Sequence, residues 1–175
     1  MAVSLEALEN FSGVPGRLQF VPNAKSLNVF VDYAHSPDAL ANVLKALTQV
    51  RAEIQSPASI WTVFGCGGDR DKGKRPLMAQ EAAKYSDQIM VTSDNPRTED
   101  PLAIITDILE GFTQDEKKNK VMREVDRRKA IHKVLGLAKP HDVVLIAGKG
   151  HENYQIVGQE RLPFSDVDVA RETLL

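Results

Sequence analysis

The sequence predicts an α/β fold: an open, mostly parallel sheet of about six strands, helices on both faces, and an antiparallel C-terminal edge hairpin. Three observations carry this. Apolar runs of strand length alternate with helical segments of about a dozen residues. Several runs, above all Val143-Val144-Leu145-Ile146-Ala147, are apolar at every position rather than every second one, the mark of a strand buried on both faces. The most polar, glycine-rich stretches fall directly after strands, where open sheets of this class bind ligands.

The elements follow in order. Leu5, Leu8 and Phe11 give a short helical pattern ending near Gly13, too brief to bury much alone. Val14-Pro15-Gly16-Arg17 reads as a turn, 18–21 as a short extended piece and 27–32 as a buried strand. Ser36-Pro37-Asp38 opens a helix with a cap, a proline at the first position and an acid in the first turn. Leu40, Val43, Leu44, Leu47 and Val50 then recur at helical spacing, and Pro57 marks the exit. Residues 60–64 form the second strand, and the glycine-rich loop 65–75 leads into a helix from Pro76 with Leu77, Met78 and Ala82 inward.

Residues 88–92 read as the third strand; Asp100 caps and Pro101 opens a helix over 101–112 with Leu102, Ile105 and Leu109 on its core face. The charge run 115–118 reads as a solvated connection and 121–125 as a fourth strand. Asp126 caps a helix with Ile131, Val134 and Leu135 inward, Pro140 closes the next turn, and 142–147 is the most apolar strand. Residues 154–157 and 161–163 flank Gly158-Gln159-Glu160 as a β-hairpin, and Ser165 caps a last helix with Val167, Ala170 and Leu174 inward.

Composition narrows the function classes. At 175 residues, 42% apolar and 26% charged, the chain suits one main globular core. Net charge is −2 with both signs interspersed, which argues against a nucleic-acid surface. A single cysteine, Cys66, excludes an internal disulfide and a cysteine metal cage. No stretch reaches the roughly 18 consecutive apolar residues of a membrane span. Residues 1–6 lack the basic-then-apolar order of a signal peptide, so a cytoplasmic location is expected.

Four loops after strands carry the candidate chemistry: 32–38, 65–75, 93–100 and 148–152. The third offers a guanidinium (Arg97), an amide (Asn95) and a carboxylate (Asp94), stiffened by Pro96, a set suited to a ligand with both a carboxylate and an amine. Read alone, it is better taken as a capped helix start with a solvated arginine; four such loops along one edge favour a small-molecule cleft. Gly68, Gly73 and Lys74 have P-loop spacing, but Arg75 stands where a Mg²⁺-binding hydroxyl belongs, so the loop reads as an anion-binding turn. His35 and His151 are loop histidines able to act as bases or merely to pack, and no metal-ligand spacing appears. Asp32 closes a strand, suited to a ribose hydroxyl or to capping the next helix. No dinucleotide fingerprint follows the first strand, which counts against an oxidoreductase.

In this order Asp32-Tyr33-Ala34-His35-Ser36-Pro37-Asp38, Gly65-Cys66-Gly67-Gly68-Asp69-Arg70-Asp71, Asp94-Asn95-Pro96-Arg97 and Gly148-Lys149-Gly150-His151-Glu152 resemble the C-terminal, Rossmann-like domain of the Mur ligases, most closely the UDP-MurNAc-tripeptide synthetases. The resemblance runs from about Gly13 to the chain end. It implies an ATP-dependent, Mg²⁺-requiring amide-forming ligase of peptidoglycan synthesis, acting through an acyl phosphate, with UDP-MurNAc-L-Ala-D-Glu and meso-diaminopimelate as substrates and no membrane or nucleic-acid partner. Residues 1–22 would be an arm from the preceding domain and 23–175 the amino-acid-binding domain, inactive alone because the P-loop and most Mg²⁺ ligands lie in a central domain.

Carried over by motif, Arg17, Asp32, Tyr33 and His35 would contact the nucleotide. Arg70, Asp94, Asn95, Pro96 and Arg97 would form the amino-acid pocket, and Gly148 and Glu152 would hold its ammonium. In this family Asp-Asn-Pro-Arg goes with diaminopimelate. No residue is an evident proton-transfer catalyst, His151 being a weak candidate. The alternative is a stand-alone amino-acid or nucleotide-binding α/β module without catalysis.

Overall fold

The computed structural model describes residues 14–53 and 57–175; the helical pattern expected over Leu5, Leu8 and Phe11 lies outside the described residues. The described chain runs β1 (Gln19–Val21), β2 (Asn28–Asp32), α1 (Pro37–Glu53), β3 (Ile60–Phe64), α2 (Lys74–Tyr85), β4 (Gln88–Val91), α3 (Pro101–Leu109) and α4 (Gln114–Asn119). It continues through β5 (Val121–Arg123), α5 (Arg127–Leu137), β6 (Val143–Ala147), β7 (Tyr154–Val157), β8 (Glu160–Pro163) and α6 (Asp166–Leu174).

Six strands form one sheet in the order β1-β2-β6-β3-β4-β5. All neighbours are parallel except β1, which runs antiparallel to β2. The expected sheet and C-terminal hairpin are both present, with one difference of place. The hairpin β7-β8 pairs with itself as a separate two-stranded sheet, and β1 supplies the antiparallel edge.

Strand period explains the core. Along β3, Ile60 and Phe64 face one apolar layer and Trp61 and Val63 the other. The first layer packs on α1, α2 and α3 through Leu40, Leu44, Met78 and Ile104; the second packs on α5 and α6 through Ile131, Val134 and Val169. The crossovers β2-α1-β3 and β3-α2-β4 advance across the sheet and β5-α5-β6 returns, so right-handed connections put those helices on opposite faces.

Helix phase departs from expectation at three leucine or valine positions. Helix α2 starts at Lys74, before Pro76, so its inward face is Arg75, Met78, Ala79 and Ala82, and Leu77 is exposed. In α3 the buried face is Ile104, Ile105 and Ile108, which turns Leu102 outward. Val50, near the end of α1, is also exposed. The charge run expected as a connection is instead the short helix α4, which buries nothing and rests on a Thr113–Glu116 capping box.

One buried ion pair ties the layers together. Arg127 opens α5 with its side chain fully enclosed; Nε and Nη2 donate to Asp166 Oδ1 and Oδ2, both at 2.8 Å. Nη2 also donates to Ala147 O (2.9 Å) at the end of β6, and Nη1 to Ser93 O (3.4 Å) just past β4. Burial works against the Arg127 charge, but Asp166 outweighs it and its pKa lies above the ordinary value. Asp166→Ala should therefore cost about 3–5 kcal/mol, by leaving a buried cation unpaired. Pairing Arg127→Met with Asp166→Leu should recover part of that loss, read from urea unfolding midpoints.

Candidate functional site

The carboxyl ends of β2, β3, β4 and β6 lie along one edge, and their loops enclose a cleft of about 490 Å³. Its lining mixes cations (Arg70, Lys74, Arg97) with carboxylates (Asp71, Asp94, Glu152). Such a surface suits a zwitterion better than a ligand of one charge sign.

The loop after β3 is stitched to the loop after β4. Gly68 N donates to Asn95 O (2.9 Å), and a Cβ on Gly68 would stand 1.9 Å from Pro96 O, so no larger residue fits between the two backbones. Asp69 accepts from Thr98 N (3.2 Å) and Thr98 Oγ1 (2.8 Å). Buried Arg75 grips Glu99 with both terminal nitrogens (3.0 and 2.9 Å) and reaches Asp107 at 2.7 Å. The Asp69 amide also donates to Glu99 (2.6 Å), and Gly73 N is taken by Asp71 Oδ1 (2.8 Å). The anion-binding turn expected here is thus occupied by the chain's own Glu99. Its amides stabilise the loop, while Arg70 and Lys74 face the cleft.

Arg97 holds a left-handed backbone (φ 51°), fixed by the hairpin. Its N–H donates to Ile156 O (3.1 Å) and its carbonyl accepts from Gly158 N (2.7 Å). The guanidinium is half anchored: Nη1 donates to Gly68 O (2.8 Å), while Nε and Nη2 have no hydrogen-bond partner among the described residues. The cleft floor is a closed circuit. Fully buried Lys149 donates to Asn95 Oδ1 and Glu152 Oε2, both at 3.0 Å, and Asn95 Nδ2 donates to Glu152 Oε2 (3.0 Å). Beside it the Asp94 carboxylate has no hydrogen-bond partner among the described residues. Gly148 (φ +117°) leaves it room, since a Cβ there would lie 2.7 Å from Asp94 Oδ2.

Of the residues expected from sequence, Arg70, Asp94, Asn95, Arg97, Gly148 and Glu152 share the cleft with Tyr33 and His35. Pro96 stands behind them, lining a groove on the far side. Asp32 is outside the lining; its two carboxylate oxygens accept the Leu18 and Ala34 amides at 2.7 and 2.8 Å, fastening the entry turn to the sheet. Arg17 places its guanidinium 5.0 Å from the Tyr33 ring centroid, and the Tyr33 ring in turn lies 4.6 Å from the His35 ring and 5.3 Å from the His151 ring. His151 is exposed on this aromatic rim rather than in the cleft, so the geometry gives it no proton-transfer position there.

Sequence reading passed over Lys149, Lys74, Tyr154 and Cys66, all at the cleft or its floor. Lys149 carried a usable signal: a lysine between two glycines directly after the most apolar strand. Cys66 is no nucleophile, because burial pushes its thiol up to about 12.

Residues 16–150 match the family model described as Mur ligase, glutamate ligase domain. The chain belongs to the Mur ligase family. As a Mur ligase domain it is 55% identical over 169 residues to the UDP-N-acetylmuramoyl-L-alanyl-D-glutamate–2,6-diaminopimelate ligase of Clostridioides difficile, covering 97% of this chain and 34% of that protein. The ligase of the same name from Lawsonia intracellularis is 52% identical over 166 residues, covering 95% of this chain and 33% of that protein. A solved structure of a ligase so named superposes with a TM-score of 0.82 at 43% identity, over 97% of this chain and 33% of that one. A bifunctional folylpolyglutamate synthase/dihydrofolate synthase from Yersinia pestis shares the fold, with a TM-score of 0.59 at 20% identity over 81% of this chain and 30% of that one. This Mur ligase domain spans about a third of the length of the curated relatives it matches.

The Arg75–Glu99 clamp has a pH signature. Two Arg75 hydrogen bonds, then the Asp69 amide, hold the Glu99 carboxyl at about 2, against 4.5 ordinarily. A depressed carboxylate stabilises the fold fully above 4.5 and loses that contribution as pH falls through 2. Glu99→Gln should therefore lower stability at neutral pH and flatten its change between pH 4.5 and 2, followed by urea midpoints across that window.

Proposed function

We propose that this chain is the amino-acid-binding domain of an ATP-dependent ligase that adds meso-diaminopimelate to UDP-MurNAc-L-Ala-D-Glu. The observation that carries the reading is the convergence of Arg97 with Asp94 and Glu152 in one cleft. Arg97 has one nitrogen locked on Gly68 O and offers its remaining N–H groups in a fixed plane, the geometry for a ligand carboxylate. Arg70 adds a second cation, while Asp94 and the open oxygen of Glu152 receive an ammonium. The names of the relatives point to the same amino acid.

The work of these residues is positioning. They hold the amine toward an acyl phosphate formed on the dipeptide carboxylate elsewhere in the longer enzyme, and orientation alone lowers such a barrier substantially. ATP supplies the activating phosphoryl group. On this chain the nucleotide-facing rim is Arg17, suited to phosphate, with the Tyr33 and His35 rings for base and sugar and Asp32 for a hydroxyl. Each Asp32 oxygen accepts one amide and so keeps a lone pair for such a donor. Among the described residues no cluster of three or more His, Cys, Asp or Glu is arranged for a metal, and Mg²⁺ is assigned to the central domain. In this reading 1–22 lead in from that domain, 23–175 close over the nucleotide, and the chain alone leaves ATP unconsumed. Among the described residues no helix is long and apolar enough to cross a membrane, and a nucleotide-linked substrate supports a cytoplasmic reaction.

Selectivity is the test. Lysine lacks the far carboxylate of meso-diaminopimelate, so binding it would leave Arg97 unpaired in a partly closed site, a cost of about 2–4 kcal/mol, or roughly 30- to 700-fold. In the full-length ligase, Arg97→Ala should erase most of that preference in kcat/KM for the two amino acids. Unchanged relative kinetics would reject the reading.

A further inference from the structure

The cleft floor contains a buried cation that the positioning scheme above does not use. Lys149 has no exposed surface, its Nζ lies 3.0 Å from both Asn95 Oδ1 and Glu152 Oε2, and the Tyr154 ring lies over it at 5.5 Å. We propose that Lys149 is a positioning residue that sets the polarity of the pocket, fixing which atoms of Asn95 and Glu152 face the ligand. The proposal rests on the reading of the cleft as an amino-acid site.

The argument is one of donors and acceptors. An ammonium only donates, so the oxygen of the Asn95 amide must face Lys149. A second donor, Ile156 N at 2.9 Å, fills the other lone pair of that oxygen. Nδ2 is thereby turned to Glu152, where one hydrogen is used at 3.0 Å and the other remains for the cleft. Asn95 can then present only a donor to the ligand, the group a carboxylate requires.

Glu152 is set in the opposite sense. Its Oε2 accepts from both Lys149 and Asn95, while Oε1 has no partner among the described residues and is left to accept from an ammonium. Lys149 also balances charge. Asp94 and Glu152 carry two negative charges and Lys149 one positive, so the floor carries a net single negative charge, matching one ammonium. Without Lys149 the Asn95 oxygen keeps only the Ile156 amide and Glu152 Oε2 keeps only Asn95 Nδ2, so the pocket loses the cation that pins its carboxylate side and its amine side in place.

Steady-state kinetics of the full-length ligase test this with Lys149→Met, Glu152→Ala and the double variant. Lys149→Met should raise KM for meso-diaminopimelate roughly 5- to 100-fold, with KM for ATP unchanged and kcat changed far less. In the Glu152→Ala background the same change should raise KM by a smaller factor than it does alone, because Lys149 acts through Glu152. An unchanged KM for the amino acid, an equal rise for ATP, or the same factor in both backgrounds would overturn the proposal.

If Lys149→Met does not fold, Asn95→Asp tests the same polarity. It keeps an acceptor for Lys149 but puts an acceptor where the donor to the ligand stood, so KM for the amino acid must rise; no rise overturns the proposal. Normal KM values in both Arg97→Ala and Glu152→Ala would instead reject the cleft as the amino-acid site. Raised values in those two with a normal Lys149→Met would reject this inference alone.

Discussion

The ion pair between Arg127 and Asp166 is the constraint on which the site depends. It sits directly beneath the cleft, and its reach explains why. The same guanidinium that is paired by α6 holds the carbonyls of Ser93 and Ala147, the residues preceding Asp94 and Gly148. Strands β4 and β6 are not neighbours, since β3 lies between them, so sheet hydrogen bonds alone do not fix the distance between their loops. Arg127 adds a restraint from below, alongside the bonds that Lys149 and Glu152 make to Asn95. After Asp166, the carboxylates of Asp94 and Glu152 also favour its charge. A buried cation under an acidic floor therefore links the stability of the fold to the electrostatics of the ligand site.

Above that anchor the loops divide the work. The Asp69 amide of the loop after β3 and Arg75 at the start of α2 hold Glu99, and the loop becomes a rigid wall. The loop after β4 supplies the groups of opposite sign, and the loop after β6 supplies the lysine and glutamate that orient them. The backbone of each wall is held internally, while the Asp94 carboxylate, Glu152 Oε1 and the outer nitrogens of Arg97 stay open, the arrangement expected of a preorganised cleft.

The sequence was informative where chemistry is local. Proline and acid at 37–38, the Asp100–Pro101 start and the all-apolar run at 143–147 identified elements because caps and burial act within a few residues. The four polar loops identified the cleft because parallel topology gathers strand ends. Helix phase was misread at Leu77 and Leu102 because Arg75 and Ile104 take the inward positions, and that choice is made by partners far away in the chain. The burial of Lys149 and Arg127 was not foreseen for the same reason, although the glycines flanking Lys149 mark its position. A lysine or arginine is expected outside, and only the acids contributed by Glu152 and Asp166 make their burial favourable. Asp32 does not cap the next helix as one reading expected; it accepts from the Leu18 and Ala34 amides, and Ser36 caps the helix instead.

The hairpin is joined to the loop after β4, through the backbone of Arg97, the Asn95 side chain and the Asp94 carbonyl, and not through any rung of the six-stranded sheet. Its exposed residues from 157 to 162 form no rung with the central strands, although Gly158 holds a left-handed turn and donates to Arg97 O. The backbone of Arg97 is thus set by a peripheral attachment, while the strands beneath it are set by the frame that must fold.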